Sequence, residues 1–254
     1  TQAESFTQSG IGAVAESVQS YLRRLFVMAT KNMTEAQRDD VSSFTGSLDV
    51  STPLQAAIDY ATSIGAVLYF PPGLYDIGTT ALNLKRYVIY QGSGRDVSQS
   101  GQRGTYIRYD GTSDALQFAG TVNSISEASI HLRDFTVLST VRTAGKGSIA
   151  LLSASYVYLH KVAVAGNDYG IIFDQVQHGY ITQCDIELSN ASSTAGVWLV
   201  NGSERTATAN AYETNRINIE HTQFNGSTAG IGIADDGGAA HAFRSNNFSW
   251  CNKH

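Results

Sequence analysis

The chain has 254 residues, which is enough for one large domain with a sizeable core or for two small domains. Charged residues make up only 15% of the chain and glycines number 24, a composition that favours a turn-rich all-β protein over a helical bundle. The net charge of −5, without a long basic run, argues against nucleic-acid binding, and no segment reaches the ~18–20 continuous apolar residues of a membrane-spanning helix, so we expect no membrane insertion.

Helical patterns occupy the first fifty residues. From Gly12 to Thr30 apolar residues recur at intervals of three and four, which predicts an amphipathic helix. The segment MTEAQRDDV predicts a second, shorter helix, because Thr34 and Gln37 have the spacing of a capping box. We interpret residues 1–50 as a helical N-terminal neck.

A third helix is predicted in the segment TPLQAAIDYATSIG. Thr52 is its expected N-cap, Pro53 takes the first helical position, and Gln55 completes a second capping box. Gly65 is a natural C-terminal stop, because glycine adopts the left-handed conformation at low cost.

The stretch GAVLYFPPGLYDI follows this helix, and its apolar residues change to a period of two. We predict a strand from Ala66 to Phe70, a turn at residues 71–73 and another strand from Tyr75 to Ile77. Proline cannot donate a hydrogen bond to a strand ladder, so the Pro-Pro pair marks a corner at which strand pairing stops.

Beyond residue 130 an eight-residue pattern repeats. Its copies are IHLRDFTV from 130, VYLHKVAV from 157, ITQCDIEL from 181, INIEHTQF from 217 and HAFRSNNF from 241. Positions three, six and eight are mostly apolar and positions five and seven mostly polar, so the alternation shifts phase in the middle of each copy. A strand that turns a corner and continues as a second strand would give this pattern.

The copies begin 27, 24, 36 and 24 residues apart, and the first four are each followed by a further short apolar strand. Periods in the twenties with about three strands each describe a parallel β-solenoid. A jelly roll or sandwich would also be rich in strands, but would not repeat in a fixed phase. The long interval contains NGSERTATANAYETNR, an insertion that is either a loop on a binding face or a decorative loop.

Several motifs resemble the start of a pectate-lyase-like right-handed β-helix, particularly in the tailspike and depolymerase proteins of bacteriophages. They are LQAAIDYA, GAVLYFPPGLYDI, LKRYVIYQGSG and TYIRYDGTSDALQF. The segment FTQSGIGAVAESVQSYLRRLF is similar to the short approach that precedes the β-helix in many phage tail proteins. The resemblance implies an all-β, right-handed parallel β-helix over residues 51–254, preceded by the helical neck.

The sequence departs from this family at two places. An aspartate-rich run before the helix is reduced to GSLDVSTP, which keeps only Asp49 and Thr52. The ending SWCNKH shows no cap for the last coil, so we expect a solenoid that is truncated at its C-terminal end or completed by subunit association or disorder.

The resemblance implies a homotrimer in the phage virion that acts outside the host cell and contacts tail or baseplate proteins through its N-terminal segment. It implies that the chain binds, and depolymerises, a bacterial surface polysaccharide such as capsule or O-antigen. The alternative is a non-catalytic structural or receptor-binding tail protein with the same fold, because one solenoid hosts several activities. A secreted pectinolytic enzyme is less favoured, since no signal peptide is visible.

Candidate catalytic carboxylates follow from stacking the repeats. Asp174 and Asp235 follow equivalent strands two coils apart, which predicts a separation of ~9–10 Å, at the upper end of the range for inverting glycosidases. Glu187 and Glu213 are further catalytic candidates. The alternative interpretation is structural, because aspartate after a strand commonly makes a turn.

Substrate-binding candidates come from the inserted loop and its end. Arg205 or Arg216 could hold an acidic sugar, and Tyr212 could stack on a sugar ring. The two cysteines form no CxxC pair and the six histidines show no metal-like spacing, so we expect neither a metal nor another cofactor.

Overall fold

The computed structural model describes residues 5–7, 15–17, 25–95, 104–120, 126–188, 193–200, 213–226, 230–236, 238–249 and 251. Helix α1 runs over Glu35–Ser42 and helix α2 over Ser51–Ile64. The strands are β1 Ser5–Thr7, β2 Ala15–Ser17, β3 Phe26–Met28, β4 Val67–Phe70, β5 Gly73–Asp76, β6 Leu82–Asn83, β7 Val88–Gly92, β8 Thr105–Tyr109, β9 Leu116–Ala119, β10 Ser126–Ser139, β11 Gly147–Leu152, β12 Ala154–Ala165, β13 Tyr169–Asp174, β14 Gln177–Thr182, β15 Asp185–Glu187, β16 Ala195–Val200, β17 Asn215–Glu220, β18 Gln223–Asn225, β19 Ile231–Asp235, β20 Ala242–Arg244 and β21 Asn247–Ser249.

The strands from β3 onward pair in parallel and form a solenoid with three faces. The first face runs β3-β4-β7-β10-β12-β14-β17-β20, and the third face runs β6-β9-β11-β13-β16-β19. The second face contains β5, β8, the later halves of β10 and β12, β15, β18 and β21. Each complete coil therefore gives one strand segment to each face, and inward-pointing side chains fill a continuous core.

The corner between the first and second faces lies at position five of the repeated pattern. Its residues all have a left-handed backbone, with φ of 59°, 51°, 53°, 51° and 53° at Asp134, Lys161, Gln183, His221 and Ser245. A left-handed residue bends the chain and resets the inward-outward alternation. The predicted phase shift is therefore confirmed in four copies, and in the third it lies at Gln183, two residues before the predicted position.

The register of the third copy differs from the prediction by two residues. Val157 lies beside Gly179 and Leu159 beside Ile181, so the third copy begins at Gly179 rather than at Ile181. A slip of two residues leaves a period of two unchanged, so the apolar pattern alone did not detect it. Position 179 faces the core, and a glycine stands there because Phe173 and Ile217 fill the space that a side chain would need. Each has an atom 2.7 Å from where a Cβ would lie.

The Pro71-Pro72 pair lies at the first-coil corner between β4 and β5, as predicted. Gly73 donates its N–H to the carbonyl of Gly104 at 3.0 Å and lies against Val41 of α1, so a Cβ there would come within 2.5 Å of a Val41 methyl carbon. The Tyr75 hydroxyl donates to the Pro71 carbonyl at 3.0 Å. These contacts fix the corner between the two strands.

Helix α1 carries the predicted capping box. The Thr34 hydroxyl accepts from the N–H of Gln37 at 3.2 Å, and the Gln37 side chain accepts from the N–H of Thr34 at 3.0 Å. The box satisfies two backbone donors at the helix start.

Helix α2 starts two residues earlier than predicted, so Thr52 as its N-cap is wrong. Its N-cap is Val50, and the carboxylate of Asp49 accepts from the N–H of Ser51 at 2.7 Å. Gln55 does not complete a capping box; its amide exchanges two hydrogen bonds with the backbone of Asn83 at 2.8 and 3.1 Å. The predicted stop at Gly65 is confirmed, with φ of 65°.

The predicted continuous helix from Gly12 to Thr30 is wrong. Residues 15–17 form a strand that pairs antiparallel with residues 5–7, and Phe26–Met28 pairs with β4 of the solenoid. From Phe26 to Ala29 exposed and buried residues alternate, which is the pattern of a strand at a sheet edge. Residues 8–14 and 18–24 lie outside the described residues, and the division of the chain at residue 50 stays a prediction.

Candidate functional site

A cleft of ≈ 450 Å³ opens on the outer side of the third face. Its lining residues are Asp114, Gln117, Phe118, Ala119, Ala144, Gly145, Lys146, Ala150, Leu152, Asp174 and Trp198. Ile149 and Leu151 belong to the main core, so the alternating Ala150 and Leu152 point outward and form the apolar floor. An apolar floor with a few polar groups at its rim is typical of a small-ligand site.

Trp198 contributes an aromatic ring to the lining of this cleft. Trp198 of β16 stacks on Tyr169 with ring centroids 4.4 Å apart and an interplanar angle of 17°. Both rings pack against a second apolar cluster, made of Ala150, Ile172 and Val200, which lies on the opposite side of the sheet from the main core. The indole N–H of Trp198 donates to the carboxylate of Asp236. The ring is therefore held in place on both sides.

Asp174 ends strand β13 and is a carboxylate of this cleft. Phe173 points into the main core, so Asp174 takes the outward position and lies in register with Leu152 and Val200. Its side chain lines the cleft although the residue is only 1% exposed. The predicted outward position of Asp174 thus places it in the cleft.

Asp235, the second carboxylate of the predicted pair, and the adjacent Asp236 lie on opposite sides of the sheet. Asp235 lies in register with the core residue Leu199, and its carboxylate is 3.7 Å from Nε2 of His241. Asp236 takes the following, outward position, two coils beyond Asp174 in the same column. Two coil spacings separate the Cα atoms of Asp174 and Asp236 by about 9.6 Å. The predicted separation therefore belongs to Asp174 and Asp236, because adjacent strand residues point to opposite sides.

Asp114, the second carboxylate of the cleft, lies too far from Asp174 to act with it. It accepts a hydrogen bond from the N–H of Gly147 at 2.8 Å. Leu116 is in register with Ile149 and Ile149 with Ile171, so Asp114 lies at the level of Tyr169. Five residues of strand separate that level from Asp174, roughly 16 Å, whereas paired glycosidase carboxylates lie within ~9.5 Å.

The remaining described candidates lie on other parts of the solenoid. Glu187 is half-buried on the second face, between Ala165 and Asn225 of the neighbouring coils. Glu213 is exposed just before β17. Arg216 is exposed on the first face, with its guanidinium 3.3 Å from Nε2 of His178. The structure does not bring these three residues to Asp174, and Arg205 and Tyr212 lie outside the described residues.

Asp185 is a charged residue of the second face that the sequence prediction missed. It points outward from β15 like Glu187 and forms an ion pair with Arg95. Burial raises the pKa of Asp185, and the neighbouring Arg95 guanidinium opposes that rise. The pair ties the β7–β8 connection to a coil formed some ninety residues later, so no local motif could have indicated it.

Among the described residues, no group of three or more His, Cys, Asp or Glu is placed to hold a metal ion. In the same part of the chain, no helix is both long and apolar enough to cross a bilayer. Cys184 is buried, and burial raises its pKa to about 12.

Comparison with protein-family models finds no match, and comparison with curated proteins finds none either. Among solved structures, a presumed glycosyl hydrolase from Parabacteroides merdae is similar, with a TM-score of 0.50 and 12% sequence identity over 88% of this chain and 97% of that one. The chain is a parallel β-helix protein. At this identity the likeness shows the fold alone.

A second solved structure, tailspike protein 3 of bacteriophage CBA120, is also similar. Its TM-score is 0.41 at 13% sequence identity, and the match covers 95% of this chain and 47% of that one. This β-helix chain therefore spans about half the length of that tailspike.

Proposed function

We propose that this β-helix is part of a bacteriophage tail-spike-type protein that binds a bacterial surface polysaccharide, such as capsule or O-antigen, and cleaves it during host adsorption. The observation that carries the proposal is the third-face cleft, which both Trp198 and Asp174 line. Tyr169 covers one face of the Trp198 ring, so we infer that a sugar packs its apolar face against the other ring face and the apolar floor, while the carboxylate binds its hydroxyls. The resemblance of the first-coil motifs to phage tail proteins supports the assignment to a tail.

Asp174 and Asp236 are the proposed catalytic pair. Hydrolysis with inversion needs one carboxyl group to protonate the leaving oxygen and a second to activate water, ~6.5–9.5 Å away. Asp174 is buried and suits the proton donor, whereas Asp236 is exposed and suits the base that activates water. The Trp198 side chain, which lines the cleft and donates to Asp236, orients the sugar between them.

A receptor-binding protein without catalysis is the second candidate function. It is favoured by the roughly 16 Å that separates the two carboxylates lining the cleft itself, Asp114 and Asp174. It is also favoured by the contact of Asp236 with the Trp198 indole, which must open before Asp236 can activate water. In that case the cleft would bind the polysaccharide without shortening it.

The test is to incubate the protein with capsular and O-antigen polysaccharides purified from a panel of bacteria. Size-exclusion chromatography follows the length of the polysaccharide, and the number of new reducing ends measures its cleavage. We expect a shortened polysaccharide with the unchanged protein, and no cleavage but retained binding with Asp174→Asn or Asp236→Asn. Asp235→Asn, the matched control on the adjacent residue, should still cleave.

The products separate the possible outcomes. Reducing ends without an ultraviolet-absorbing unsaturated sugar mean hydrolysis. An unsaturated product means elimination, and it would contradict the roles of Asp174 as proton donor and Asp236 as the base that activates water. Binding that is lost in Trp198→Ala, with no shortening of any polysaccharide, establishes the receptor-binding alternative. Shortening that persists in both Asp174→Asn and Asp236→Asn would contradict the proposed site.

The proposal includes a homotrimer of parallel subunits that attaches to tail or baseplate proteins through the N-terminal segment. Multi-angle light scattering of the purified protein should give three times the monomer mass, and a monomer would contradict the trimer without affecting the cleft.

A further inference from the structure

The outer side of the first face carries a ladder of stacked rings. His131, Tyr158 and Tyr180 lie in register on three successive coils. The ring centroids of His131 and Tyr158 are 4.5 Å apart, and those of Tyr158 and Tyr180 are 4.9 Å apart with an interplanar angle of 1°. Each ring is half-buried. Three coils thus present one continuous ring column to solvent.

Two further columns flank the rings. A polar column of Arg133, His160 and Thr182 lies two residues further along each strand than the rings. Within it, Nδ1 of His160 is 2.9 Å from Oγ1 of Thr182. This column and the rings enclose a hollow of ≈ 340 Å³. We define the ladder face by its three columns: His131, Tyr158 and Tyr180; Arg133, His160 and Thr182; Tyr156, His178 and Arg216.

The three residues of the third column all have a left-handed backbone. The φ angles of Tyr156, His178 and Arg216 are 57°, 58° and 56°. Tyr156 stacks on His178 with centroids 5.1 Å apart at 10°, and the Arg216 guanidinium lies against the imidazole of His178. A left-handed backbone costs ~1–2 kcal/mol in a residue other than glycine. The same conformation recurs at Ala240, which lies in register with Arg216 on the next coil, so the left-handed backbone marks a corner of the solenoid that presents these side chains.

The stacking decides what a ligand would meet on this surface. Because the rings stack on one another, a ligand would meet their edges rather than their faces. One nitrogen of each imidazole already contacts a neighbouring side chain, that of Ser129, Thr182 or Arg216. Burial lowers the pKa of His131, helped by the charge of Arg133, and its Nε2 lies 3.0 Å from the Ser129 hydroxyl. The ladder face therefore recognises a ligand by hydrogen bonds and charge rather than by ring stacking.

Positive charge is concentrated at the ladder face although the chain as a whole carries −5. Arg133 and Arg216 are exposed there, and Lys161 is exposed at the adjoining corner. Two described carboxylates border the surface. Asp134 accepts from the Gln91 amide at 2.8 Å, and Glu220 lies 3.8 Å from the guanidinium of Arg244.

We propose that the ladder face is a second glycan-binding surface, which takes a carboxylate-bearing polysaccharide laid along the solenoid axis. The donors repeat every ~4.8 Å from coil to coil, which suits a repeating polymer rather than a single small molecule. Arginine binds carboxylates with paired hydrogen bonds, and the tyrosine and histidine edges bind hydroxyls. A nucleic acid is disfavoured, because its dense phosphate charge needs more cations than this acidic chain offers.

The test is affinity electrophoresis of the full chain in gels that contain alginate, hyaluronate, or the carboxyl-reduced form of each. We expect retardation by at least one acidic polymer, with a dissociation constant at least roughly ten-fold lower than that of its reduced form, and weakening as salt rises. Arg133→Gln/Arg216→Gln should weaken this binding roughly ten-fold. The matched control Lys31→Gln/Lys85→Gln removes the same charge near α2 and should leave the binding unchanged.

Each contrary result has a defined meaning. Binding that is equal for the acidic and reduced polymers, absent for every acidic polymer, or equally strong for single-stranded DNA overturns the proposal. Loss of binding in Trp198→Ala would place the acidic polymer in the third-face cleft; that would support the proposed function but overturn this second surface. Retardation that survives Trp198→Ala and falls in the double arginine variant supports the ladder face even if the cleft binds nothing.

Discussion

The left-handed backbone of Lys161 and its counterparts sets the corner between the first and second faces of each coil. None of these five corner residues is glycine, so each coil holds an L-residue in a sparsely populated region, at a cost of roughly 1–2 kcal/mol. The same position recurs with φ between 51° and 59°. The corner is therefore imposed by the pairing of neighbouring coils rather than by local preference.

Substitution at Lys161 tests this corner. Lys161→Val should lower the free energy of unfolding by about 1–2 kcal/mol, because a β-branched residue tolerates a positive φ poorly. Lys161→Asn should cost little, since asparagine adopts this conformation more readily. Urea titration of the two variants measures the difference, and equal stability of both would contradict a left-handed corner.

Asp40 gives the fold a pH dependence at the level of one side chain. Burial would raise the pKa of Asp40, but donors from the Ser47 hydroxyl and from the N–H groups of Ser47 and Leu48 bring the net pKa below its usual value. A carboxyl group whose pKa is lower in the folded chain stabilises the fold above its unfolded pKa of ~3.9, and that stabilisation is lost as the pH falls through the folded pKa.

We therefore expect Asp40→Asn to lower the free energy of unfolding by about 1–3 kcal/mol at pH 7. The difference from the unchanged protein should shrink as the pH falls below ~3.9, because the unchanged protein then loses the same charge. The control is Asp39→Asn, since Asp39 is the exposed neighbour of Asp40. Its free energy of unfolding should match that of the unchanged protein at each pH. A stability difference that stays constant down to pH 3 would count against the charged hydrogen bonds.

At the scale of the elements, local signals were predictable and the register between coils was not. The capping box at Thr34, the stop at Gly65 and the Pro-Pro corner depend on backbone geometry that a few adjacent residues determine. The third copy was misplaced because a glycine stands where Ile130, Val157 and Ile217 begin three of the other copies. The strands of residues 15–17 and 26–28 were misread as a helix, because sheet pairing overrides a weak local period.

Gly179→Ala tests the corrected register directly. With Gly179 in the core column, the added methyl group meets Phe173 and Ile217 at 2.7 Å and should cost about 1–3 kcal/mol of unfolding free energy. Phe173→Leu should recover part of this loss in the double variant, although it is itself destabilising. If the copy began at Ile181 as the sequence predicts, Gly179 would lie before the strand and the alanine would be tolerated.

Over the whole molecule, the composition and the repeat were sufficient to predict a parallel β-helix, whereas the candidate site was predictable only in part. Asp174 was found because an outward carboxylate after a strand can be read by counting. The cleft needed three-dimensional information, since Lys146, Trp198 and Asp236 come from three different coils. The ladder face was predictable only in part: His131 and Tyr158 share a position in the first two copies, whereas Tyr180 joins them only when the third copy is placed in its true register.

Binding of a bacterial polysaccharide through Trp198 is the central claim, and an array of immobilised capsular and O-antigen polysaccharides tests it most directly. The unchanged protein should bind at least one polysaccharide, and Trp198→Ala should bind it about ten-fold more weakly, since loss of one stacked aromatic ring is worth roughly 0.5–1.5 kcal/mol beyond the buried area. Tyr60→Ala, which removes a partly exposed ring from α2, should bind as the unchanged protein does. Equal binding by the unchanged protein and Trp198→Ala, or no binding to any polysaccharide of the array, would contradict the account.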